Sequence, residues 1–231
     1  MARYVPWVGV FVGVAGCGLI DPDIGDFPLR FPSQSVTVDS SDWELTTEPE
    51  VPGIECADFP GICNDEVIEI CGAEGVCFGS CDGTHCQAAV VISLWRTVDL
   101  EATNHDEFQR LEQRPLISVN LDEVSYTVAE NTFTVPSPEL GVYVAPQTVM
   151  DHGSPQAQLV GTIPTLDAGA RVEGAALRFT EDGRDHFEAF MGDYRTPFNL
   201  IVGGSLELSA GDEVPQGRLQ AEVNVTAVAR P

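Results

Sequence analysis

Apolar and polar residues alternate along most of this chain with a period of two, and from residue 88 onward they do so in a succession of short runs. The clearest run is the last. Leu219, Ala221, Val223, Val225 and Ala227 fall on one face of an extended segment, and Gln220, Glu222, Asn224 and Thr226 on the other. Gln87 to Leu100 places Val90, Ile92, Leu94, Val98 and Leu100 on one side and Val91 and Trp95 on the other, as expected of a strand covered on both faces. Leu116 to Val128 changes phase, from Ile117, Val119 and Leu121 to Val124, Tyr126 and Val128, which predicts a bulge near Asp122. Further strands are expected at Leu140 to Ala145, Gln158 to Pro164, Arg171 to Thr180 and Phe198 to Ser209.

Two stretches break the alternation. A helical insert is expected from a cap at Asn104, with Glu107 at capping-box spacing, Phe108 and Leu111 on one face and Pro115 as its stop. Asp185 to Tyr194 predicts one or two helical turns. Turn sequences such as Glu181-Asp182-Gly183 and Ser209 to Asp212 separate the strands. The expected fold is mainly β, an antiparallel immunoglobulin-like β-sandwich over residues 88–231. Val124 to Thr165 resembles the sandwich domains of the late-embryogenesis-abundant, water-stress type.

Upstream, residues 17–52 are acidic and carry Pro22, Pro28, Pro32, Pro49 and Pro52, a composition that suits a semi-rigid tether. Ser35 to Asp39, followed by Trp43 and Leu45, nevertheless alternates like an edge strand. Residues 53–87 form a segment with too few large apolar residues for a core of its own, and it holds Cys56, Cys63, Cys71, Cys77, Cys81 and Cys86. Six cysteines in a compact stretch predict three local disulfides, and the sequence does not choose among the 15 connectivities six cysteines allow.

The first residues account for the seventh cysteine. Arg3 precedes an apolar run from Val5 to Ala15, too short for a membrane-spanning helix, which needs about 20 residues, but suited to the core of a signal peptide. Val14-Ala15-Gly16-Cys17 then resembles the lipobox of bacterial lipoproteins. That resemblance implies a signal peptide over residues 1–16, a diacylglycerol on the Cys17 thiol and an acyl group on the freed amine. By the common sorting rule of the family, Gly18 after the lipidated cysteine implies the outer membrane, on its periplasmic or its cell-surface side. Lipidation of Cys17 leaves an even number of cysteines for an oxidising compartment.

Charge narrows the partners. With 36 acidic residues, 11 basic ones, all arginine, and a net charge of −25, the chain repels phosphate backbones and anionic headgroups, which argues against nucleic acid.

Catalytic patterns are sparse. No G-x-S-x-G elbow occurs, and Gly204-Ser205 lacks the second glycine. Cys77 to Cys81 and Cys81 to Cys86 are spaced more widely than a redox C-x-x-C. Cys77, Cys81, His85 and Cys86 offer a zinc alternative to disulfides, whereas His105, His152 and His186 lie apart. Asp21, Asp23 and Asp26 begin like a calcium loop but lack its glycine and terminal glutamate. Glu181, Asp182, Asp185 and Glu188 read as a solvated hairpin tip, and Gly203-Gly204 as a bulge or a site of close packing.

The expected function is a non-enzymatic binding or structural module of the bacterial envelope, lipid-anchored, without a cofactor or metal, facing an envelope protein or polysaccharide. The alternatives are an envelope-polymer hydrolase using paired carboxylates and a calcium-dependent binding module.

Overall fold

The alternation of the last run becomes the centre of a sheet. In the computed structural model, which describes residues 26–44, 48–59, 61–63, 77–109 and 118–230, strand β11 (Arg218–Arg230) buries Leu219, Ala221, Val223, Ala227 and Ala229 and turns the intervening polar residues outward. On one side it pairs with β5 (Ser118–Asn131), which in turn pairs with β8 (Val172–Ala176). On the other side it pairs in succession with β1 (Phe27–Leu29) and β2 (Gln34–Asp39). The second sheet runs β3 (Cys77–Cys81), β4 (Cys86–Val98), β10 (Phe198–Leu208), β6 (Leu140–Pro146), β7 (Gln158–Ile163) and β9 (Arg178–Phe179). Every pairing is antiparallel, and the two sheets enclose one core that includes Val90, Val142, Val144, Val160, Leu219 and Ala227. Complete burial of each valine or leucine side chain among these contributes about 1.5–3 kcal/mol.

The sandwich therefore takes in chain from well before residue 88. β1 and β2 come from the acidic, proline-rich stretch, and β3 from the cysteine segment. Proline is tolerated in β1 because a sheet edge leaves alternate N–H groups unused. The bulge expected near Asp122 is present: Thr226 faces Glu123 and Ala227 faces Leu121, so Asp122 has no opposite residue and both Leu121 and Val124 stay buried. The single strand expected over Arg171 to Thr180 is divided. β8 joins the first sheet and β9 the second, with Leu177 buried at the crossing.

Around the helices the sequence reading needs correction. A helical turn precedes the expected helix: α1 (Leu100–Thr103) is capped by Asp99, whose carboxylate accepts the Ala102 N–H at 2.8 Å, and α2 (His105–Gln109) follows Asn104 where a helix was expected. Asn104 is instead fully buried. Its Oδ1 accepts the Arg30 N–H at 2.7 Å and its Nδ2 donates to the Arg30 and Leu100 carbonyls, so the side chain that would cap a helix pins the incoming strand region. Leu111, Pro115 and the Glu107 side chain lie outside the described residues.

Helix α3 (Gly183–Gly192) fills the stretch where helical turns were expected and buries Phe187 and Met191. One turn apart on it, Arg184 donates to the Leu121 carbonyl and Glu188 accepts the Leu121 N–H at 2.8 Å. The pairing of β8 with β5 spans Ser125 to Val128, so these two side chains take the place of a neighbouring strand where that pairing ends. At the start of α3, a Cβ on Gly183 would fall on the Val160 carbonyl oxygen, far inside van der Waals contact. Gly183→Ala should accordingly cost about 3 kcal/mol, roughly 6–12 °C in midpoint, in reversible denaturation. An unchanged midpoint would mean that the helix start shifts without cost.

The cysteine segment is fastened to the β3–β4 hairpin. Cys56 pairs with Cys81 and Cys63 with Cys86. Main-chain bonds from Cys56 N to Thr84 O (3.0 Å) and from Cys86 N to Ile54 O (2.8 Å) run beside them. Cys77 is disulfide-bonded as well; Cys71 lies outside the described residues, as do Cys17, the lipobox, Asp21 and Asp23. In the hairpin turn, the N–H groups of His85 and Thr84 donate to Asp82 and hold its carboxyl below the ordinary carboxylate range.

Candidate functional site

Two surfaces collect side chains capable of recognition: an acidic cleft at one end of the sandwich and the outer face of the six-stranded sheet.

The cleft forms where β2 ends. Asp39 accepts the N–H and the hydroxyl of Ser41 at 2.9 and 2.7 Å, which lowers its carboxyl pKa and starts a single 3-10 turn over Ser40–Trp43. Buried Trp43 stacks on Phe133 with ring centroids 5.9 Å apart. Glu44 follows with a left-handed backbone (φ 51°). Residues 49–51 then lie against the β10–β11 turn, through bonds from Val51 N to Asp212 O (2.8 Å), Gly211 N to Val51 O (2.8 Å) and Val214 N to Pro49 O (3.0 Å). The result is a cleft of about 730 Å³ whose carboxylates are Glu44, Glu48, Glu50 and Glu213. All four are exposed, so water and salt screen their mutual repulsion. Sequence reasoning missed this grouping: three of its members lie in the proline-rich stretch, and the fourth arrives from a turn more than 160 residues later.

Among the described residues, the acidic groups singled out by sequence are not assembled into a metal-type cluster. Asp26 accepts from Arg230 Nε at 3.0 Å, Glu188 holds Leu121, and Asp182 stands just before α3 without a capping side-chain bond. Among the described residues, the one group of at least three metal-ligand-type atoms within 4.8 Å of one another is the sulfurs of Cys56, Cys63 and Cys86, and all three are in disulfides. Cys77, Cys81 and Cys86 are likewise oxidised, so the set with His85 presents no thiolate. His105 is exposed against Gln109, and His186 Nδ1 is buried without a hydrogen-bond partner.

On the outer face of the six-stranded sheet, residues 146–157 fold over the strands. Buried Asn199 donates to the carbonyls of Gln147 and Val149 at 2.9 and 2.8 Å and accepts from Thr97 at 2.8 Å. Ser93 Oγ donates to the Met150 carbonyl and accepts the His152 N–H, both at 3.1 Å, so this hydroxyl is committed to holding the loop. The His152 ring lies over Gly203, where a Cβ would approach it to 2.5 Å, and packs against Tyr143 at 5.6 Å between centroids. Of the bulge or close packing expected at Gly203-Gly204, the structure has close packing, and the neighbour of Gly203 is this histidine. Burial, and then Glu139, raises the Tyr143 phenol above its ordinary pKa. His152 Nδ1 is buried without a hydrogen-bond partner.

Beside that loop, the outward positions of β4 are Ala89, Val91, Ser93 and Trp95, and Phe78 lies opposite Ala89. Phe78, Trp95 and Met150 stay 53, 39 and 49 % exposed, an apolar strip on a strongly acidic domain. No protein-family model, no curated protein and no solved structure matches the chain.

Proposed function

We propose that this protein is an exported lipoprotein, held to a bacterial outer membrane by lipid on Cys17, whose sandwich acts as a non-enzymatic binding module of the envelope. The observation that carries the reading is the pairing of Cys56 with Cys81 and of Cys63 with Cys86, since such bridges persist in exported proteins and the lipobox supplies the export route. The binding role is supported by how the polar groups are used. Glu188, Arg184, Asn104, Asn199 and Ser93 are all engaged in holding loops and strands, while Phe78, Trp95 and Met150 remain open to solvent. Aromatic and methionine side chains are the usual anchors of protein contacts.

The test is site-specific photocrosslinking in intact envelopes from Phe78 and Met150, with Glu173 on the other sheet as the control position. One specific adduct from the first two positions and none from the third is expected. Adducts from none of them, together with hydrolysis of envelope polymer by the purified protein, would replace the binding reading by the enzymatic one.

A further inference from the structure

The second sheet has a gap in its ladder. β4 spans Cys86–Val98, but among the described residues β3 pairs with it from Cys86 to Val90 alone, so residues 91–98 are bonded to β10 along one edge and meet no described strand along the other. That edge is about 25 Å long. Alternate residues along it turn outward an N–H and a C=O that no described strand pairs with, in the spacing an antiparallel strand would satisfy.

Across from it lies the outer edge of β2, which is bonded to β11 on its other side. Between the two edges is a groove of about 440 Å³, lined by residues 35–37 of β2 and 93–96 of β4. Buried Val36 and half-buried Leu94, both packed on the core, lie along it, and Trp95 stands partly exposed beside it. Arg96 is exposed there and has no carboxylate partner among the described residues, whereas Arg218 and Arg230 are paired with Glu130 and Asp26. In a chain with 36 acidic residues, a cation left unpaired at an open strand edge favours a carboxylate brought by the partner.

We propose that this groove is a strand-addition site: an extended segment of a partner protein pairs with the 91–98 edge of β4, sets apolar side chains against Leu94, Val36 and Trp95, and places a carboxylate on Arg96. Main-chain bonds supply affinity in such a mode, and the side-chain contacts supply selectivity. A second copy of this chain is a poor occupant, because each carries a net charge of −25 and self-pairing would bring two Arg96 edges together. The proposal rests on the binding-module reading and names its partner class.

The experiment uses the full chain in detergent, with amide exchange followed by NMR. The probe is an acetylated octapeptide of alternating threonine and valine ending in aspartate with a free carboxyl group; its control ends in asparagine amide. Alternate amides of residues 91–97 should exchange freely in the protein alone and at least about tenfold more slowly with saturating probe. Amides of β7 should not change. Arg96→Gln should weaken the acidic probe about tenfold, bringing it to the level of the amide control, while Arg96→Lys retains part of the preference and Trp95→Ala weakens both peptides. Both positions are exposed, and an unchanged unfolding transition checks that each variant is folded.

Three results overturn the proposal. One is no protection at millimolar peptide. Another is an edge already protected in the free protein, which would mean that the chain's own residues cover it. The third is a dimer that Arg96→Gln dissociates, which would make a second copy the occupant. Failure here leaves the crosslinking test of the binding reading untouched, since that test uses Phe78 and Met150, outside the groove.

Discussion

Cys17→Ser should move the protein quantitatively from the membrane fraction to the soluble fraction. The expectation follows from what else could hold the chain to a bilayer. No helix among the described residues is long and apolar enough to cross a membrane, and a surface with a net charge of −25 is repelled by anionic headgroups. That leaves lipid. A single acyl chain gives only marginal binding, whereas the several chains implied by the lipobox give durable anchoring, so losing the acceptor sulfur removes the whole of the affinity rather than a part of it. The measurement is ultracentrifugation of lysed cells with a salt wash, comparing the two forms. The wild type should remain in the pellet and the variant in the supernatant, with the same unfolding transition for both. A variant that still resists the wash would mean that the sandwich itself binds the membrane or a membrane protein, and that Cys17 is not the anchor.

The parts of the fold that were legible in the sequence are those set by local pattern. The inward and outward residues of β11, the bulge at Asp122 and the close packing at Gly203-Gly204 each follow from residues within a few positions of one another, because side chains in a strand alternate by geometry alone. What the pattern does not encode is the identity of the neighbour. Alternation in Ser35 to Asp39 marks a strand but not its partner β11, nearly two hundred residues away. Arg171 to Thr180 reads as a single strand, yet the chain passes from one sheet to the other within it.

Asn104 shows the same limit for a polar residue. Its type suits a helix cap, and its side chain is taken instead by the backbone of Arg30, which no local rule anticipates. The acidic cleft is the functional counterpart: Glu213 joins Glu44, Glu48 and Glu50 through the pairing of residues 49–51 with the β10–β11 turn. The groove at the edge of β4 was hidden for a different reason. It lies between the edges of β2 and β4, strands of two different sheets, and is a property of the two placed together rather than of either one.

Reduction of the disulfides tests how far the cysteine segment is a separate unit. Cys56–Cys81 and Cys63–Cys86 close loops of 25 and 23 residues, for which chain entropy predicts a loss of about 3 kcal/mol per bridge on reduction. The loss should be local. Residues 54–56 reach the sheet through a few backbone bonds to the hairpin turn, and the Cys56, Cys63 and Cys86 cluster is distinct from the main core. Among the described residues β3 pairs with β4, whereas β4 is also held along its length by β10. Opening the bridges therefore frees residues 54–63 and loosens β3, while β11 stays clamped between β5 on one side and β1 and β2 on the other. Hydrogen exchange with and without reductant should show protection falling in residues 54–63 and 77–87 and persisting in Leu219 to Ala229. Loss of protection in Leu219 to Ala229 would show instead that the bridges sustain the whole sandwich, and that the core enclosed by the two sheets does not hold without them.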